Sequence, residues 1–187
     1  LIHVASGTTT SFESFASETN ALYDIKVDTV LVGEHSLVFL NAEGEISGSP
    51  VTFSVINGAV DAFTSSVSGA GTTGGEAGTL LSMVVQLRDS GSNDIASITD
   101  ASNKIGLSLI HAVNSKTITT SDASVISLGA GKYQVDYTAY DAGDYTLEIT
   151  YDNVTIASGT SDYVSIMPSI ENATTSYHNI SRVMTAG

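Results

Sequence analysis

The chain has 187 residues, with 20 Asp and Glu against 6 Lys and Arg, a net charge of −14 and no cysteine. That charge repels nucleic acid and anionic membrane surfaces, and the missing thiol excludes a disulfide scaffold, a cysteine nucleophile and thiolate metal sites. Hydrophobic residues make up 42% of the chain and charged ones 14%, enough apolar material for a core, while 27 Ser, 22 Thr and 17 Gly favour strands and turns over helices.

Taken in order, the elements read as strands. "LIHV" at Leu1–Val4 opens the chain, and "YDIKVDTVLVGEHSLVF" runs from Tyr23. "VTFSVI" from Val51 leads to a boundary near Asn57-Gly58. The Gly-rich "GAGTTGG", Gly69–Gly75, precedes a strand and not a helix, so it offers no helix N-terminus to a phosphate and reads as a flexible passage. "LSMVVQL" then places Leu81, Met83, Val85 and Leu87 on one face, with Ser82 and Gln86 on the other. After the turn "DSGSND", "KIGLSLIH" gives Ile105, Leu107 and Leu109. "YQVDY" gives Tyr133, Val135 and Tyr137, and "YTLEITY" gives Tyr145, Leu147, Ile149 and Tyr151. This period-two alternation, broken by "GAGK", "DAG" and "DN", is that of antiparallel sheets with one buried face and one wet face. No window carries a sustained helical period, so the chain is expected to be all β.

The chain also repeats itself. Tyr23 falls on Tyr133, Gly33 on Gly143 and Leu37 on Leu147, at an offset of 110. "LIHV" matches "LIHA" at Leu109 (offset 108), "VTFSVI" matches "DYVSIM" at Asp162 (offset 111), and "EAG" ending at Gly78 matches "TAG" ending at Gly187 (offset 109). A period near 109 suits a sandwich domain of roughly 100 residues and exceeds any solenoid repeat. The expected organisation is the second half of one domain over 1–57, a complete domain over 58–168, and the first strand of a third over 169–187. With no initiating Met and no signal peptide or membrane-spanning stretch, the chain is taken as an internal piece of a longer protein, with no membrane contact of its own.

Tyr145, after "DAGD", has the spacing of a tyrosine corner at the entrance of a late sandwich strand. Its ring is expected to cover the core edge and its hydroxyl to bond nearby backbone. Leu147 stands where an antibody domain has a disulfide cysteine, and His35 occupies the corner position of the first copy.

"EAGTLLSMVVQLRDSGSND", "GKYQVDYTAYDAGDYTLEITYDNVTIASG" and, in the first copy, "GEISGSPVTFSVINGA" resemble the filamin-type immunoglobulin repeat across nearly all of the chain. The complete copy departs from that pattern with "IASGTSDYVSI" where Gly-Ser-Pro is expected, and the first copy with "VGEHSL". The resemblance implies tandem seven-stranded immunoglobulin-like sandwiches of about 109 residues, used as spacers, scaffolds or adhesion modules. It also implies protein partners, other copies among them, that add a strand to an exposed sheet edge. That edge is expected between Ile105 and Leu128, with Ile105, Leu107, Ile118 and Val125 as candidate positions, since "SKTITTSDASVIS" is β-prone, lightly charged and free of Pro.

No pattern points to an enzyme, a cofactor or a metal. His3 and His111 are equivalent between copies, which favours a structural role, and the other histidines are His35 and His178. There is no G-x-S-x-G elbow, H-E-x-x-H helix or P-loop. Asp141 and Asp144 sit in a turn, and neither a D-x-D run nor an EF-hand loop suggests calcium. Three sequons begin at Asn153, Asn172 and Asn179, where about two are expected by chance in a chain this rich in Ser and Thr. Asn153 falls in a predicted hairpin turn, where an N-glycan fits. These features lean towards an extracellular or cell-surface rod or fibre. The alternatives are an intracellular filamin-like cytoskeletal scaffold and a carbohydrate-binding accessory module, the last weakened by the absence of Trp.

Overall fold

Period-two burial along the strands builds the sheets of the computed structural model, which describes residues 2–3, 27–156, 159 and 163–169. In chain order the strands are β1 (Ile2–His3), β2 (Gly33–Leu37), β3 (Leu40–Asn41), β4 (Gly44–Glu45), β5 (Val51–Val55), β6 (Val60–Ser68), β7 (Gly74–Glu76) and β8 (Leu80–Asp89). They continue with β9 (Ile105–His111), β10 (Thr117–Thr119), β11 (Ser124–Gly129), β12 (Lys132–Thr138), β13 (Gly143–Tyr151), β14 (Val154–Thr155) and β15 (Val164–Met167). Only short 3-10 turns interrupt them, and no α-helix occurs among the described residues.

From β6 onward the chain makes an immunoglobulin-like sandwich. One sheet has the order β11-β12-β8-β6; the other has β10-β9-β13-β15-β7, with β14 also paired to β13. Met83, Val85 and Leu87 of β8, Tyr133 and Val135 of β12, Leu109 of β9 and Ile149 of β13 are wholly buried between them. Each such side chain contributes roughly 1.5–3 kcal/mol of hydrophobic stabilisation. Leu147 lies in the same cluster, so hydrocarbon fills the place of the disulfide.

The core also buries three tyrosines, and each hydroxyl ends on backbone. Tyr133 accepts a bond from the Ala101 amide at 2.9 Å, Tyr137 donates to the Gly71 carbonyl at 2.6 Å, and Tyr145 donates to the Asp141 carbonyl at 2.9 Å. Burial, with a smaller contribution from Tyr145, raises the Tyr137 pKa well above its ordinary value, so this hydroxyl stays a donor.

The Gly-rich passage moves the chain from one sheet to the other. After β6 a 3-10 turn at Ala70–Thr72 crosses the end of the sandwich, and β7 pairs in parallel with β15. Gly74 makes this possible: its φ is +124°, and a Cβ there would lie 1.9 Å from the Ser165 carbonyl oxygen.

Residues before β6 form a sheet of order β1-β2-β5 and a small β3-β4 hairpin. Their ladders coincide with those of the complete sandwich at the offsets found in the sequence. His3 pairs with His35 as His111 pairs with Tyr145, and Gly33 with Val55 as Gly143 with Ile166. Leu40 pairs with Glu45 as Thr150 pairs with Thr155.

The stretch expected to hold a single edge strand is divided. A 3-10 turn at Thr120–Asp122, closed by a capping box between Thr119 and Asp122, puts β10 on one sheet and β11 on the other. Ile105 and Leu107 lie on β9, paired with β13, while β10 covers only Ser108–Ile110. Their side chains, 2% and 4% exposed, point into the core, so neither presents a side chain to a partner strand.

Gly74→Ala combines left-handed backbone with a clash against Ser165 and should cost about 2–4 kcal/mol. Thermal melts that match the wild type would contradict this account of the β7–β15 pairing.

Candidate functional site

Two strand edges, one loop corner and one polar hub carry the features with functional potential. β11 ends its sheet, bonded to β12 on one side, and its sequence "SVISLG" has no charged residue. Ile126 and Leu128 are 49% and 52% exposed on it, while Val125 is half-buried against the core. An uncharged, Pro-free terminal strand is a template for another chain, and the bulge between Ser127 and Gly129 limits its usable length. At the other sheet, β10 is three residues long, with Ile118 half-buried. Beyond β10 the Thr120 hydroxyl accepts from the Leu107 amide at 2.8 Å and reaches back to the Leu107 carbonyl at 3.5 Å. It holds the groups that an incoming strand would need there, whereas β11 has a longer uncharged edge.

The corner is built on Tyr145. Its ring meets the His111 ring edge-on at 4.8 Å. The His111 Nδ1 accepts from the Val113 and Asn114 amides at 3.1 and 3.4 Å, which leaves Nε2 to donate to the Ala142 carbonyl at 3.1 Å. Lys116 pairs with the Asp141 carboxylate, whose pKa this bond lowers, and the Lys116 pKa rises in turn. In the first copy His35 makes the same connection. It is fully buried, stacks on Phe53 at 5.5 Å, and its Nε2 donates to the Leu31 carbonyl at 2.9 Å, four residues upstream just as Asp141 is from Tyr145. Sequence comparison placed His35 at the corner without revealing that an imidazole can replace the phenol there.

Asn153 is exposed in a two-residue turn between β13 and β14, where Asp152 and Asn153 have φ of 50° and 65°. Positive φ at both positions is a type I′ hairpin turn, for which Asp and Asn are suited. The sequon hydroxyl of Thr155 donates to Glu148 at 2.7 Å. Asn172 and Asn179 lie outside the described residues.

The polar hub was not anticipated from the sequence. Asp89, 5% exposed at the end of β8, accepts from the Gly58, Gly91 and Asn93 amides, each at 3.0 Å. The Asn93 carboxamide adds bonds of 2.9 and 3.2 Å. Burial alone would raise the Asp89 pKa, but the bonds from Gly58, Asn93 and Gly91 outweigh it and hold the carboxyl below its ordinary value. Around this hub Asn57 donates to the Asp94 carbonyl at 2.8 Å and accepts from the Ala96 amide at 3.0 Å, which ties the linker before β6 to the loop after β8. Among the described residues no group of three His, Asp or Glu is placed to hold a metal ion.

A family model of the Filamin/ABP280 repeat matches residues 59–159. No curated protein matches the chain at a significant level. Among solved structures, the Lin-41 filamin domain is similar at 18% identity and a TM-score of 0.47, over 59% of this chain and 98% of that one. The Escherichia coli adhesin FdeC is similar at 16% identity and a TM-score of 0.46, over 73% of this chain and 41% of that one.

Tyr145→Phe should destabilise by about 1 kcal/mol and lower the melting midpoint by about 4 °C. An unchanged melt would remove the corner bond from the account of stability. The folded-state pKa of Asp89 lies below its ordinary 3.8, so its stabilisation is complete above that value and fades as pH falls through the folded one. Denaturant midpoints measured from about pH 5 downward should fall more steeply for the wild type than for Asp89→Asn, itself the less stable protein at pH 5. Parallel curves would show that Asp89 is not the group that titrates.

Proposed function

This chain belongs to the filamin repeat family, and on that premise we propose that it is a non-enzymatic structural and adhesion module. It forms part of a long, repeat-built rod or fibre at the cell surface or outside the cell. The observation that carries this reading is the coincidence of strand ladders between residues before Asn57 and those of the complete sandwich, at offsets of 108 to 111. It supports a division into the second half of one repeat over 1–57, a complete repeat over 58–168 and the start of another over 169–187.

A rod also needs stiff junctions, and only Ile56 to Ala59 separate β5 from β6. So short a linker leaves little slack for two folded units to swing. Lateral contact would use the β11 edge, where a strand from another copy or another protein can add its backbone and seat side chains beside Ile126 and Leu128. The acidic surface keeps such rods apart until the edges meet in register. The exposed turn at Asn153 gives a glycan a place away from both sheet faces.

In protein isolated from its native source, mass spectrometry should find an N-glycan on the peptide containing Asn153, which would set the protein on the secretory route. If Asn153, Asn172 and Asn179 are all bare, the surface-fibre reading gives way to an intracellular scaffold built from the same repeats.

A further inference from the structure

Between the first copy and the complete repeat lies a contact that the short linker alone does not require. The loop after β8 reaches across to the segment before β2. Asn93 Nδ2 donates to the Val30 carbonyl at 2.6 Å, and its Oδ1 accepts from the Val32 amide at 3.4 Å. The same Nδ2 is held by both oxygens of Asp89, and an amide oxygen turned towards that carboxylate would be repelled, so Asp89 fixes which way Asn93 faces. Gly91 passes so close that a Cβ on it would lie 2.8 Å from Asn93 Nδ2 and 3.0 Å from the Val30 oxygen. On the other side of the contact, His35 draws the Leu31 carbonyl inward. The backbone of Val30 and Val32, on either side of it, meets the loop.

The complete repeat carries the receiving half of this contact at its far end. At the offset of 110, Val30, Leu31 and Val32 fall on Tyr140, Asp141 and Ala142. Tyr145 draws the Asp141 carbonyl inward as His35 does Leu31, and Tyr140 is 79% exposed, with Ala142 exposed beside it. We propose that the Asp89–Asn93 loop is a latch that grips the backbone of the preceding repeat, and that Tyr140–Ala142 is the matching surface for the corresponding loop of a following repeat. The partner is thus another unit of this same fold, recognised through main-chain groups and hence tolerant of side-chain differences at the receiving positions. The linker half of the junction is not repeated: Asn57 falls on Pro168, which has no side-chain donor or acceptor. The second junction therefore depends on the latch alone.

This rests on the tandem reading above, and its test separates the two. In the 187-residue chain, residual dipolar couplings from residues 30–57 and from 58–167 should fit one alignment tensor. Asn93→Ala and Gly91→Ala should each split it into two. Gly91→Ala is the cleaner variant, because its backbone lies outside the left-handed region and the Gly58, Gly91 and Asn93 amides still reach Asp89. A single tensor in both variants, or two tensors already in the wild type, would overturn the latch while leaving the shared ladders of the two copies untouched. For the receiving half, a longer protein carrying a further repeat directly after Pro168 should slow exchange of the Ala142 amide by about tenfold. Exchange equal to that of the 187-residue chain would refute it.

Discussion

With no disulfide, the sandwich depends on burying large tyrosines without stranding their hydroxyls. A buried hydroxyl with no partner costs on the order of 1–3 kcal/mol, so each of the three must end on backbone, and each therefore dictates where a loop lies. Tyr133 holds the loop before β9 through Ala101, Tyr137 holds the sheet-crossing turn through Gly71, and Tyr145 holds the turn before its own strand through Asp141. Hydrophobic burial gives the two sheets their attraction, and the phenol ends turn that attraction into a particular set of loops.

The same economy appears at the two corners. An i to i−4 bond from the strand entrance to the preceding turn is made by a phenol in one copy and an imidazole in the other. Both groups are flat, fill the edge of a core and carry one donor at the right reach, so geometry accepts either. The outcome is that the central carbonyl of the turn, Asp141 in one copy and Leu31 in the other, is drawn inward at both places. In the rod proposed above, a junction can recur only if each unit ends as the last one did.

Asp89 acts at the opposite end of the repeat. A carboxylate this enclosed is stable only because three amides and a carboxamide point at it. That arrangement links the last residue of β8, the linker at Gly58 and the loop that touches the preceding unit. In the proposed rod, orientation between units is thus coupled to the interior of the repeat.

Much of this was legible in the sequence because alternation and repetition are local or periodic properties. Leu81 to Leu87, Tyr133 to Tyr137 and Tyr145 to Tyr151 announced their strands and buried faces by period two, and the 110-residue offset anticipated ladders that the two copies share. What could not be read was anything that depends on which strand lies beside which. Ile105 and Leu107 have the pattern of any alternating strand, and only the packing of β9 against the facing sheet makes them interior. Asp89 and Asn93 looked like ordinary turn residues, because the amides and carbonyls that give them purpose come from Gly58, Val30 and Val32, distant along the chain. Sequence alone determined the strands, their faces and their recurrence, since these follow from side-chain chemistry along one backbone. The tertiary structure alone decided the edges, the hub and the contact between units, since these arise where separate backbones meet.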